Sequence, residues 1–337
     1  MTQAIDRSTL IRIARDTAQR RMTERPSLMS AYLTGSVAAN EPLLGEATDI
    51  DLILIDEGVP PLREVIRLTD QVALDIQYRS ASEYTHPKAL RVHPWRGPEL
   101  AEPIFLHDPK HFFELAQSSV RGQFHRPDHV ALRARAFAQM ARDELHTGLL
   151  PGQAPLRPVT LANLCQALLC AANAVITLTG FPGAGRRLVM KLEVAAGKLQ
   201  RPDLYDDFMA LLGGAELDPA QAQILLTDWS AVYHVAQIAG TEQELIHPVR
   251  RTVYERGFQA QIAADRSAEM LWLMLYTWQA CVKQLPGDSP HAEPWTNFLE
   301  RLRLATPADF AARVAETQAY LALADEAVEA WADRNGA

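Results

Sequence analysis

Two aspartates separated by one residue, Asp49 and Asp51, lie in the apolar stretch DIDLILID at 49–56. The β-branched and apolar residues around them predict a strand that is buried on both faces near its end. Because side chains two apart on a strand point to the same face, the two carboxylates are expected to lie side by side. Such carboxylates repel each other unless a cation joins them, and Mg²⁺ takes oxygen ligands of this kind together with substrate phosphates. The pair therefore predicts a site for Mg²⁺ or Mn²⁺.

A glycine and a serine, Gly35 and Ser36, precede this pair by a spacer of twelve residues. The segment LMSAYLTG ends at Gly35 and predicts a strand that breaks on the glycine. A strand followed there by a helical turn presents backbone N–H groups, which suit phosphate oxygens. Glycine lets the backbone approach closely, and the serine hydroxyl offers one more hydrogen bond. Gly35 and Ser36 are therefore predicted to hold the phosphates of a nucleotide.

A third acid, Asp75, lies in the middle of another apolar segment, VALDIQYRS at 72–80. A buried carboxylate without a partner is costly, so we expect this segment to be a strand beside 49–56 that brings the three acids together. Asp49 and Asp51 would then hold metal at a triphosphate. Asp75 would bind a second metal ion or take a proton from the attacking hydroxyl.

The elements that must position these residues follow from hydrophobic spacing in the first third of the chain. Apolar residues at helical spacing predict an amphipathic helix over 5–22, and PIFLHDP at 103–109 predicts a fourth strand, with a helix after it. Residues 64–70 fit either a strand or a short helix.

From about residue 123 the pattern is helical almost throughout, with a Pro-rich connection at 149–159. The fold class is therefore predicted as α+β, with a small mixed β-sheet domain and flanking helices at 1–122. An all-helical domain is predicted to follow at 123–337.

The spacing of Gly35-Ser36, Asp49-x-Asp51 and the later Asp75 resembles the signature of the DNA polymerase β-type nucleotidyltransferase superfamily. The resemblance covers roughly residues 25–115. A small domain of this type followed by helices is similar to the aminoglycoside adenylyltransferases and related bacterial proteins. Many small members carry Arg-Gly shortly after the Gly-Ser, whereas this chain has Ala39-Asn40.

The resemblance implies a Mg-dependent enzyme that moves AMP from ATP to a hydroxyl of a small molecule, with release of pyrophosphate. In the similar layout, the helical domain donates a basic residue to the triphosphate, and Lys191 is the candidate, with Arg186 and Arg187 near it on one helix face. Two alternatives stay open. One is a transferase acting on a protein or RNA acceptor, as in toxin–antitoxin systems, and the other is a non-catalytic nucleotide-binding module.

Composition narrows the partners of the protein. The net charge of -8 argues against an extended nucleic-acid footprint without excluding one. The N-terminus has no secretory signal pattern, and no apolar run is long enough to predict a membrane span, so a cytoplasmic protein is expected. The three cysteines lie in apolar helical context, which predicts buried reduced thiols.

Two further features of the sequence have both a functional and a structural interpretation. Arg79, which follows Asp75 on the same predicted strand, fits either a substrate-facing or a surface position. The loop GFPGAG at 180–185 resembles a phosphate loop, but it lacks a preceding strand and the GK[ST] ending, so a plain connection between helices is favoured.

Overall fold

The computed structural model of the protein describes residues 6–58, 60, 63–148, 158–213, 217–239, 244–286 and 290–337. The chain divides into two compact units, 1–129 and 130–337. The predicted boundary at 122/123 lies seven residues before this division. Most of the Pro-rich connection predicted at 149–159 lies outside the described residues.

The first unit contains a five-stranded mixed sheet with the strand order β3-β4-β2-β1-β5. Strands β2 and β4 are parallel, and the other neighbouring pairs are antiparallel. The predicted α+β class is confirmed, and the undecided segment after residue 63 is an edge strand. The strands are β1 (Leu28–Thr34), β2 (Thr48–Asp56), β3 (Glu64–Arg67), β4 (Val72–Ser80) and β5 (Ile104–His107).

Helices cover both faces of this sheet. On one face, α1 packs Leu10, Ala14 and Ala18 against alternate residues of β2 and β4, such as Leu52 and Leu74. On the other face, the ring of Tyr32 in β1 stacks on Phe113 of α5 at a centroid distance of 4.2 Å. The helices that begin in this unit are α1 (Arg7–Glu24), α2 (Gly35–Ala38), α3 (Pro87–Val92), α4 (Arg96–Ala101), α5 (Phe112–Arg121) and α6 (Pro127–Gly148).

Every regular element in the described part of the second unit is helical, as predicted for the C-terminal region. Its core contains large aromatic side chains, among them Trp229, whose Nε1 donates to Thr277 Oγ1 at 2.9 Å. Trp278 stacks on Phe298 at a centroid distance of 4.8 Å. The helices are α7 (Pro158–Thr177), α8 (Leu188–Leu199), α9 (Asp203–Leu211), α10 (Pro219–Ala239), α11 (Pro248–Ala263), α12 (Met270–Val282), α13 (Ala292–Arg301) and α14 (Pro307–Asn335).

One of these helices, α7, is long and apolar enough over Val159–Thr177 to cross a membrane by length and composition. Its most apolar window is 78% buried inside the protein. Its Asn173 also uses its amide group within the fold, accepting from Gly183 N and donating to Gly183 O. Burial of this kind is what the core helix of a soluble protein shows.

The cysteines are buried and free, as predicted. Burial raises the pKa of both the Cys165 and the Cys170 thiol to about 12, so these groups stay protonated near neutral pH.

Candidate functional site

The turn after β1 brings the backbone of Gly35 against the side chain of Asp51. Gly35 has φ +71°, a left-handed conformation that favours glycine. A Cβ added to Gly35 would lie 1.9 Å from Asp51 Oδ2. Only a residue without a side chain fits, because both the conformation and the close approach exclude a Cβ. The predicted phosphate-binding turn therefore lies directly beside one of the predicted metal ligands.

Neighbouring elements hold this turn in place. Arg7 of α1 donates from Nε to Val37 O and from Nη2 to Ala38 O, each at 2.8 Å, so its guanidinium covers the end of the short helix α2. The Ser36 hydroxyl lies 3.3 Å from Thr48 Oγ1, at the start of β2. Ser36 is half-buried and Gly35 is exposed, so the turn is open to a ligand.

The parallel pairing of β2 with β4 brings the three acids together. In this register Asp51 lies directly opposite Asp75, and Asp49 lies opposite Ala73. Side-chain alternation puts all three aspartates on one face of the sheet. One carboxylate oxygen from each lies within 4.8 Å of those of the other two. Asp49 and Asp51 are half-buried, whereas Asp75 is 1% exposed.

Electrostatics makes such a cluster unfavourable without cations. Two unit charges 4.8 Å apart repel by about 3 kcal/mol at an effective dielectric constant of about 20. Three carboxylates form three such pairs, so positive charge is needed at the cluster. Hard oxygen ligands from two adjacent strands, open to solvent on the Gly35 side, fit the donor set of Mg²⁺ or Mn²⁺. Asp49, Asp51 and Asp75 are thus the residues that would hold such an ion.

A positive side chain that the sequence motif did not predict also reaches this cluster. Arg63, just before β3, donates from Nε to Asp75 Oδ1 and from Nη2 to Asp75 Oδ2, both at 2.5 Å. This two-bond arrangement is the strongest form of arginine–carboxylate pair. The sequence signal was weak, because β3 could not be distinguished from a helix. Recognising β3 as the neighbour of β4 would have suggested an arginine near Asp75.

The same face of the sheet continues beyond the acids into a second polar network. Arg79, 8% exposed, donates from Nη2 to Gln77 Oε1 at 2.7 Å and to Glu99 Oε1 at 3.4 Å. Burial raises the pKa of the Glu99 carboxyl. Next to them, the hydroxyls of Tyr32 and Tyr84 lie 2.9 Å apart. Arg79 is therefore a buried cation, which contradicts the surface alternative and leaves the substrate-facing alternative a prediction.

The basic residues predicted to reach the phosphates lie in the second unit. Lys191 Nζ donates to Pro182 O at 3.2 Å. The side chain of Arg186 packs against Gly257, where an added Cβ would lie 2.5 Å from Arg186 Cδ. The side-chain amide of Asn173 donates to Gly183 O and accepts from Gly183 N, in the loop at 180–185. These bonds support the interpretation of this loop as a connection between helices. The role of Lys191, Arg186 and Arg187 toward a nucleotide stays a prediction.

Comparison of the chain with protein-family models matches no family, and comparison with curated proteins gives no match. The functional interpretation therefore depends on the chemistry and geometry of the acidic cluster.

Proposed function

We propose that the protein is a metal-dependent nucleotidyltransferase that transfers a nucleoside monophosphate, AMP from ATP, to a hydroxyl group of a small molecule. One observation supports this proposal above all others. Three aspartates from two adjacent parallel strands place their oxygens within 4.8 Å of one another, beside a glycine turn that tolerates no side chain. The spacing of these residues along the chain also resembles the DNA polymerase β-type superfamily.

In this reaction the acceptor oxygen forms a bond to the α-phosphorus while the bond from that phosphorus to the β-phosphate oxygen breaks. Pyrophosphate is the leaving group, and the hydroxyl proton goes to a base. A bound Mg²⁺ or Mn²⁺ would supply charge neutralisation and orientation of the triphosphate. Asp49 and Asp51 are the proposed ligands of that ion.

The remaining residues have positioning and proton-transfer roles. The backbone N–H groups of Gly35 and Ser36, with the Ser36 hydroxyl, bind phosphate oxygens. Asp75 either contributes to a second ion or accepts the acceptor's proton, since its carboxylate lies at the cluster and is shielded from water. Lys191 is proposed to contact the triphosphate, with Arg186 and Arg187 as the alternatives. A cytoplasmic location follows as part of this proposal, because ATP is its substrate.

The test is transfer of label from α-³²P nucleoside triphosphates in Mg²⁺ or Mn²⁺. Reactions contain the protein alone, then added aminoglycosides, RNA or cell lysate. Label on a small molecule supports the proposal, and EDTA should abolish it. Label on RNA or protein would instead support the macromolecular acceptor. Binding of nucleotide with no transfer to any acceptor would favour a non-catalytic module.

Asp75→Asn supplies the sharpest variant. The amide keeps the size of the side chain but removes the charge and basicity, so we expect transfer to fall at least about a thousandfold while the protein stays folded. Asp70→Asn is the matched control, because Asp70 lies in the turn before the same strand with its side chain 86% exposed. Near-normal transfer by Asp75→Asn would remove Asp75 from the mechanism.

A further inference from the structure

The guanidinium of Arg63 takes both oxygens of Asp75. The two hydrogen bonds, Nε to Oδ1 and Nη2 to Oδ2, are both 2.5 Å long. Asp75 is 1% exposed, whereas the Arg63 side chain is 25% exposed. The carboxylate is therefore fixed inside the sheet, and the arginine reaches it from the solvent side.

The backbone next to Arg63 is held independently of this pair. Glu64 accepts from Arg21 Nη2 and from the Tyr78 hydroxyl, each at 2.6 Å. Val65, one residue further, is paired with Asp75 itself in the antiparallel β3–β4 ladder. Because strand pairing and Glu64 position the chain, the Arg63 side chain is able to leave Asp75 without loss of the strand.

Any cation that takes an oxygen of Asp75 competes with this guanidinium. A divalent ion shared by Asp75 and Asp51, whose residues are paired across the two strands, would also lie close to a fixed positive charge. In the absence of nucleotide, the positive charge of Arg63 therefore weakens binding of the ion to the three acids. A triphosphate carries several negative charges and offers the guanidinium a new bidentate partner.

We infer that Arg63 withholds Asp75 from metal until a nucleotide triphosphate takes over its guanidinium, so that metal at Asp75 and nucleotide bind together. This inference rests on the proposed function. It makes Arg63 a positioning residue for the reaction. It also predicts that the enzyme acquires its complete metal site only when substrate is present, which would limit wasteful hydrolysis or metal loading in its absence.

The first part of this inference is that Arg63 weakens metal binding at Asp75. Titration of the full-length protein with Mn²⁺ alone, followed by electron paramagnetic resonance, tests this part. Arg63→Gln removes the charge but keeps a hydrogen-bond donor. We therefore expect Mn²⁺ to bind the variant at least about tenfold more tightly than it binds the wild type. Adding Asp75→Asn should cancel this gain. Arg12→Gln is the matched control: it removes the same charge from α1, where the Arg12 side chain is 67% exposed, and should leave the Mn²⁺ affinity unchanged.

The second part of the inference is that the triphosphate takes over the guanidinium of Arg63. Calorimetric titration with the Mn²⁺ complex of an α,β-methylene analogue of ATP tests this part. Arg63→Gln should bind this complex no more tightly than the wild type, because the variant lacks the guanidinium that joins the triphosphate. An equal tenfold gain with and without the analogue would overturn the transfer of Arg63 to nucleotide.

The controls distinguish the two proposals. Mn²⁺ that binds wild type and Arg63→Gln equally well overturns the role of Arg63 and leaves the metal site intact. Mn²⁺ that binds neither protein, with or without the analogue, overturns the proposed function itself. Should Arg63→Gln fail to fold, Arg63→Lys retains the charge but not the two parallel bonds, and an intermediate gain in Mn²⁺ affinity is expected.

Discussion

At the scale of single residues, the most restrictive contact of the site joins a glycine backbone to a carboxylate. Gly35 adopts φ +71°, and the space that its Cβ would occupy is filled by Asp51 Oδ2. The contact connects the proposed phosphate turn with the proposed metal ligand, so a change at residue 35 displaces both. Asp51 also lies directly opposite Asp75, which extends the same constraint to the third acid.

Gly35→Ala should therefore damage the site more than the fold. The left-handed conformation and the displaced Asp51 together cost about 1–3 kcal/mol of unfolding free energy. We expect nucleotide transfer to fall by at least about a hundredfold, as measured with α-³²P ATP, with Mn²⁺ binding weakened as well. Gly122→Ala is the control, since Gly122 has ordinary helical geometry and its added Cβ would lie 3.5 Å from Ser118 O. Equal activity in both variants would contradict the proposed role of the turn.

At the scale of elements, the edge strand β3 matters because it carries Arg63 to the acids of β4. Four residues of β3 pair with β4, and Glu64 adds side-chain bonds to Tyr78 and Arg21. Tyr78 lies on the opposite face of β4 from Asp75, so the bond to Glu64 anchors the strand without entering the site. The position of Arg63 thus depends on a contact made on the far side of the sheet.

Tyr78 gives this anchor a measurable pH dependence. Burial, and then the hydrogen bond to Glu64, raise the pKa of Tyr78 to about 12 from its usual value of about 10. A pKa raised in the folded state means that its contribution to stability is complete below about pH 10 and is lost as pH rises to about 12.

We expect Tyr78→Phe to make the fall in unfolding free energy between about pH 10 and pH 12 less steep than in the wild type. Urea unfolding at a series of pH values measures this. Below pH 9 the variant should be less stable by about 1 kcal/mol, because the bond to Glu64 is lost. Identical slopes for the two proteins would show that Tyr78 does not couple β3 to β4 in this way.

At the scale of the whole molecule, the chain forms two compact units with different architectures. All three acids, the Gly35 turn and Arg63 belong to the first unit, whereas Lys191 belongs to the second. The proposed binding of metal alone would accordingly need only the first unit. The formal net charge of -8 offers little attraction to an extended nucleic acid, which favours a small acceptor.

Trp229→Phe tests this division. The substitution removes the bond to Thr277 and leaves a small cavity in the second unit, which should lower the stability of that unit by roughly 1–3 kcal/mol. We expect the affinity for Mn²⁺ at 20 °C to be unchanged, while thermal unfolding shifts to a lower temperature. A weakened Mn²⁺ affinity in the folded variant would show instead that the core of the second unit supports the metal site.

The sequence by itself determined the class of the fold and the members of the acidic cluster. The strands over 48–56 and 72–80 follow from alternation and β-branching, which are local properties of the chain. Spacing alone puts Asp49 and Asp51 on one face, because side-chain direction along a single strand has a period of two. The glycine that ends an apolar segment at residue 35 likewise indicates a turn, because glycine adopts backbone conformations that other residues avoid.

Only the tertiary structure decided which side chains meet across strands. The parallel register that places Asp75 opposite Asp51 depends on sheet topology, which local spacing does not contain. The identity of β3 as an edge strand, and with it the pairing of Arg63 with Asp75, depends on the same topology. Arg79 shows the same limit: the sequence left a substrate-facing and a surface position open, and only the structure shows the bonds to Gln77 and Glu99 that accompany its burial. Short-range pattern predicts what a residue can do, whereas the partners that permit it come from distant parts of the chain.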